Sequence, residues 1–213
     1  GIREPARSKS EKRINPIRRA NLQRLSTSYW WVVAIGAIFM LARFSDAFLV
    51  LRGLQAGIPI ALTPLVMVAM NLIYAVSAYP FGKLSDRVQH SWLLASGLIV
   101  LIVADLVLAQ RNDWSTVLLG VALWGVHLGM TQGLLAAMVA DTAPADLRGT
   151  AYGFFNLMSG LAMLVASGLA GFVWDRFGAA NTFYTGTAFC MLALIVLALQ
   201  PARPIDSRII SPD

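Results

Sequence analysis

The chain has 213 residues, 57% of them hydrophobic and only 13% charged, with a formal net charge of +6. So few charges cannot cover a soluble globule of this size, which excludes an ordinary soluble domain. Cys190 is the only cysteine, so an intrachain disulfide is excluded as well.

The opening stretch, 1–27, is basic and polar and has no apolar signal-peptide core. It reads as a linker or an interfacial tail. A chain that begins at Gly1 inside such a tail is expected to be a fragment or a processed product. Six apolar segments follow, at roughly 28–50, 60–81, 91–110, 114–138, 150–173 and 180–200, and a polar tail, 201–213, closes the chain. A hydrocarbon core of about 30 Å needs about 20 helical residues, so each segment is long enough to cross. The segments are apolar nearly all round, where a soluble helix would alternate faces. The expected fold is an all-α membrane protein of six transmembrane helices, with membrane lipid as its surroundings.

Charge gives the orientation. Eight basic residues lie in the leading tail (Arg3, Arg7, Lys9, Lys12, Arg13, Arg18, Arg19 and Arg24), and Lys83, Arg87, Arg148, Arg203 and Arg208 fall on the same side of a six-span chain. Arg52, Arg111 and Arg176 fall on the other. The positive-inside bias places both ends in the cytoplasm. Trp30, Trp31, Trp92, Trp114 and Trp174 fall near span ends, where aromatic rings favour the headgroup zone. The basic residues follow loops and not one groove-fitting face, so no nucleic-acid partner is expected.

In the first span, Arg43 and Asp46 are three apart and would share a helix face within salt-bridge reach. Ionisable groups at membrane depth face a cavity or a partner. They read either as a ligand or proton site, with Asp46 the protonatable carboxylate, or as a static pair near the span end. Asn71 and Tyr74 share a face of the second span and are candidate cavity lining. That span is read as ending at Tyr79-Pro80-Phe81 before the loop Gly82-Lys83-Leu84-Ser85-Asp86-Arg87. Gly82 would permit close backbone approach, Asp86 would accept donors from a neighbouring helix, and Arg87 would pair with an acid or a lipid phosphate.

Asp105 stands alone in the third span and is read as a paired structural acid. In the fourth span His127 is either a proton relay or a structural hydrogen-bonder. Thr131 and Gln132 offer neutral hydrogen bonds, and Gly125, Gly129 and Gly133 form a ladder for tight helix packing. Asp141, Pro144, Arg148, Gly149 and Gly153 mark the connection to the fifth span: Pro144 stops one helix, and the two glycines form a small face at the start of the next. Asn156 and Ser159 share a face of the fifth span. The pattern Gly-x-x-x-Asp-Arg occurs at Gly82, Asp86 and Arg87 and again at Gly171, Asp175 and Arg176, followed by Gly178. The two copies close the second and fifth spans on opposite sides, as inverted repeats of three plus three helices require.

The loop Gly82-x-Leu84-x-Asp86-Arg87 resembles the signature loop of the major facilitator superfamily. It departs from that pattern at Gln89, His90 and Ser91, where the family has a glycine and two basic residues. The stretch Pro144-x-x-x-Arg148-Gly149-x-x-x-Gly153 is similar to the family's cytoplasmic connection, and Ala42 to Leu49 is similar to the seventh helix of bacterial members. The resemblance covers the whole chain but only the C-terminal six of the usual twelve helices. It implies a proton-coupled secondary transporter of a small solute in a bacterial inner membrane. It also implies an N-terminal six-helix half as partner, and a latch at Gly82, Leu84, Asp86 and Arg87. The alternative is a stand-alone six-helix interaction or assembly protein. No phosphate loop, zinc-ligand set or catalytic triad can be assembled, so neither an enzyme nor a cofactor or metal is expected.

Overall fold

A computed structural model describes residues 22–110 and 113–199. Most of the leading tail, Arg111, and the closing tail with Arg203 and Arg208 lie outside the described residues. Among the described residues these α-helices run in order: α1 (Thr27–Ala42), α2 (Ala47–Gln55), α3 (Pro64–Ser85), α4 (His90–Gln110), α5 (Trp114–Thr142), α6 (Arg148–Phe177) and α7 (Ala179–Ala198). Together α1 and α2 make the first of six segments long and apolar enough to cross a membrane.

Local chemistry sets the helix starts. Ser26 accepts from the Tyr29 amide at 3.1 Å, and Pro64 opens α3, where its missing N–H is no loss. Asp113 accepts from Ser115 and Thr116 at the head of α5, and these bonds hold its carboxyl down to about 2. Pro80 does not end α3, which runs on to Ser85. One lost hydrogen bond is tolerated inside a long transmembrane helix. The turn from α6 to α7 is a single residue, Gly178, at φ 87°, a left-handed conformation that suits glycine.

The packing is close to symmetric under exchange of the first three spans with the last three. Span two packs on span four as span five packs on span one, span three meets span four as span six meets span one, and spans three and six meet each other. The exception is the contact of spans five and six, which has no counterpart of like extent. This is the 3+3 arrangement that the two Gly-x-x-x-Asp-Arg stretches suggested, and those stretches fall at the C-terminal ends of α3 and α6.

Long-range bonds tie one end of the bundle. Ser26 Oγ donates to the Thr142 carbonyl at 3.1 Å, Tyr29 Oη to the Ala151 carbonyl at 2.9 Å, and Arg24 pairs with Asp146 at 2.7 Å. His90 Nδ1 lies 3.7 Å from Asp141 Oδ2, linking the start of α4 to the end of α5. The span containing α5 is the hub, with 56% of its apolar window buried, against 22% for the span of α3 and 17% for that of α6.

The small residues divide. A Cβ on Gly125 would sit 2.6 Å from the Met70 carbonyl oxygen, and one on Gly129 would strike Ser77, so these two glycines bring α5 against α3. Gly133, Gly82, Gly149 and Gly153 face open space among the described residues. The expected close approach at Gly82 and the small-residue face at Gly149 and Gly153 are therefore not used inside this bundle. Arg52, read as a loop charge, is instead buried in α2, and its Nε donates to the Leu108 carbonyl at 2.8 Å. There it satisfies an end carbonyl of α4 that has no partner within its own helix.

Candidate functional site

The expected continuous first span is broken. α1 stops at Ala42, residues 43–46 leave the helix, and α2 begins at Ala47. Arg43 and Asp46 therefore do not share a helix face, and no ion pair forms between them among the described residues. Each has a different partner on α5. Arg43 Nη1 donates to Gln132 Oε1 at 3.1 Å, and Asp46 Oδ1 accepts from Trp124 Nε1 at 3.0 Å. The Ser45 amide donates to Ser167 Oγ on α6 at 3.2 Å, so a backbone group freed by the break is recovered from a third helix.

Aromatic rings support the break from beneath. Phe44 stands 5.5 Å from Trp124, 5.7 Å from Phe183 and 5.3 Å from Phe48, and the last stands 5.5 Å from Trp174. Above the break opens a cleft of 420 Å³ between residues 43–47, Met67 of α3 and Met163 of α6. Its walls are mostly apolar, and Arg43 and Asp46 are its charged groups. A second hollow of 170 Å³ lies between α3 and α5, lined by Tyr74, Gln132 and Gly133. Gln132 thus touches one hollow and holds the guanidinium that lines the other.

The remaining candidates scatter around these two hollows. Asn71 is exposed on α3, its Nδ2 donating to the Met67 carbonyl at 2.8 Å. Asn156 is exposed on α6, with Ser159 buried one turn on. His127 is fully enclosed. Its Nδ1 lies 2.8 Å from the Gly97 carbonyl, and its ring stacks on Phe39 at 5.3 Å. Beside it, Thr131 Oγ1 donates to the His127 carbonyl at 2.8 Å. Thus the structure brings Arg43, Asp46 and Gln132 together, puts Tyr74 at the neighbouring hollow, and sets His127 in the packing behind.

The loop residues sit apart. Gly82 and Leu84 lie in the last turn of α3, Asp86 caps it, and Asp86 and Arg87 are exposed. Arg148 opens α6 and is exposed, as are Asp175 and Arg176 at its far end. A Cβ on Gly171 would meet the rim of Phe48 at 3.9 Å. Sequence reasoning missed Trp124 and Ser167, which hold the break. The signal was available in one respect, since Trp124 is the one tryptophan remote from every span end.

A sequence profile described as Major Facilitator Superfamily matches residues 32–212. An uncharacterized MFS-type transporter of Methanocaldococcus jannaschii is 31% identical over 189 residues, which cover 84% of this chain and 46% of that protein. The quinolone resistance protein NorA of Staphylococcus aureus is 24% identical over 185 residues, covering 80% of this chain and 47% of that one. The chain thus spans about half the length of the curated relatives it matches. Among solved structures, an auto-inhibited POT family peptide transporter superposes with a TM-score of 0.64 at 17% identity, over 85% of this chain and 40% of that one. Fold, internal symmetry and sequence agree: this multi-pass membrane chain belongs to the Major Facilitator Superfamily.

Proposed function

We propose that the chain is the C-terminal six-helix half of a secondary transporter that moves a small solute across a bacterial inner membrane by alternating access, with both ends in the cytoplasm. The observation that carries this reading is the break at 43–46, which sets Arg43 and Asp46 at a cleft in the middle of a transmembrane bundle. Secondary transporters build solute and coupling-ion sites from discontinuous helices of this kind near the bilayer midplane. The cleft opens between α3 and α6, the two least buried spans. That face fits the partner half, with the solute held between the two bundles.

In this reading the Asp46 carboxylate is the proton carrier, because it lines the cleft and keeps one oxygen free of the Trp124 bond. Arg43, steadied by Gln132, orients the solute. Asn71, Tyr74 and Asn156 extend the polar lining. His127 supports the wall through Gly97 and Phe39. Gly82, Leu84, Asp86 and Arg87 form a latch against the partner half, because all four are exposed and neither Asp86 nor Arg87 has an ion pair among the described residues. Asp141, near His90, joins the neighbouring connection at Pro144, Arg148, Gly149 and Gly153 to the same end. A relative named for quinolone resistance makes a quinolone the first solute to test.

The test uses the full-length protein in proteoliposomes with an imposed pH gradient and a quinolone as probe. Parent protein is expected to move the probe in response to the gradient, and Asp46→Asn to lose that response while retaining counterflow. Arg43→Gln should weaken probe binding at least tenfold. An Asp46→Asn protein with the parent's gradient response removes Asp46 as the carrier. Probe movement unchanged by either substitution would place the solute path elsewhere.

A further inference from the structure

Behind the cleft, in the seam where α4 packs on α7, lies an acid that the transport reading does not use. Asp105 is completely buried, and neither carboxyl oxygen has a hydrogen-bond partner. The expected paired structural acid is thus an unpaired one. The facing residue on α7 is Gly186, where a Cβ would lie 2.6 Å from Asp105 Oδ2 and 3.0 Å from the Phe44 ring. The glycine is what admits the carboxyl, and the α7 backbone closes over it.

The ionisable groups on the elements around this position offer no compensation. α7 brings the Cys190 thiol, buried and close enough to feel the carboxyl electrostatically. α2 brings Arg52, whose Nε is bonded to the Leu108 carbonyl. α5 brings His127, held on Gly97 about two turns earlier along α4. None of them bonds or pairs with Asp105 among the described residues. A bare carboxylate in such a place is very unfavourable, and the usual response is to become neutral. Among the described residues no group of three His, Cys, Asp or Glu side chains that could hold a metal ion gathers at Asp105.

We propose that Asp105 is a proton-binding site. In this packing its side chain is the neutral acid, –COOH, formed when the carboxylate takes one proton from water. The proton stays while α4 and α7 are in contact and returns to water only when they separate. The site therefore couples the proton to the packing of the third span on the sixth, away from the cleft. It does not depend on the transport reading.

The test is infrared spectroscopy of the full-length protein in lipid vesicles at neutral pH, as the difference between parent and Asp105→Asn. The expected result is a protonated-carboxyl C=O band in the parent that the variant lacks. Loss of a carboxylate band instead would show Asp105 ionised and overturn the proposal. If the asparagine variant fails to assemble, Asp105→Glu serves, since it moves the acid band without abolishing it. A second arm replaces sodium by an organic cation. A parent spectrum that changes with sodium would make the occupant a metal ion and also overturn the proposal.

Discussion

Gly125, Gly129 and Gly133 recur at one spacing yet meet different surroundings, and the surroundings decide what an added methyl does. At Gly125 the obstacle is the Met70 carbonyl, part of a rigid helix, and at Gly129 it is the Ser77 side chain. Overpacking of this kind destabilises by about 1–3 kcal/mol. Gly133 faces open space, and alanine there recovers helix propensity of up to about 1 kcal/mol. Melting temperatures in detergent should therefore fall for Gly125→Ala and Gly129→Ala and hold or rise for Gly133→Ala. Ser77→Gly should partly rescue Gly129→Ala, where the Ala78 backbone nitrogen at 3.0 Å remains, but not Gly125→Ala, and equal effects at all three positions would refute the assignment. The sequence showed the ladder but not which rungs bear contact, because spacing along one helix says nothing of where the neighbouring helix crosses.

At the scale of elements, six helices long and apolar enough to cross a membrane were legible, because an apolar run of about 20 residues is a physical requirement of the bilayer. The break was not legible as a break. The residues on both sides of 43–46 are apolar enough for the whole of 27–55 to pass as one span, so hydropathy runs through it, and the three-residue spacing of Arg43 and Asp46 suggested a pair on one face. The interruption is instead decided by partners remote in sequence: Trp124 for Asp46, Gln132 for Arg43 and Ser167 for the Ser45 amide. Trp124→Phe keeps the ring that packs on Phe44 and removes the N–H. We expect it to leave the bundle assembled and to speed hydrogen exchange at the first amides of α2 about tenfold, while the core of α5 stays protected. Unchanged exchange at α2 would mean the Trp124 bond does not hold the break.

At the scale of the whole molecule, the two least buried spans carry exposed asparagines, which lipid would not tolerate cheaply. Asn71 on α3 and Asn156 on α6 are exposed on the spans between which the cleft opens, whereas exposed Ile99 lies on α4. In a Cys190→Ser background, cysteines at positions 71 and 156 of the full-length protein should react with a small charged thiol reagent, and one at position 99 should not. Silence at positions 71 and 156 in both inward- and outward-biasing conditions would show that this face never meets water. The family and the 3+3 plan were legible from a few loop residues, because those loops recur at fixed places in the topology. The cleft was legible only as a set of polar letters. Distance and enclosure separate Asp46 at its edge from His127 and Asp105 behind it.

The interrupted first span has an electrical consequence. A helix carries about half a positive elementary charge at its N-terminus and half a negative one at its C-terminus, and these are felt most where solvent is scarce. At 43–46 a negative end, that of α1, and a positive end, that of α2, are brought almost face to face inside the bundle. Arg43 stands at the C-cap of the first, its backbone N–H donating to the Phe39 carbonyl, and Asp46 stands at the N-cap of the second without a side-chain capping bond. The cleft is thus lined by a cation at the residue that ends α1 and an anion at the residue that precedes α2, each of the sign opposite to its pole. Removing either side chain exposes a fixed field that the backbone itself generates.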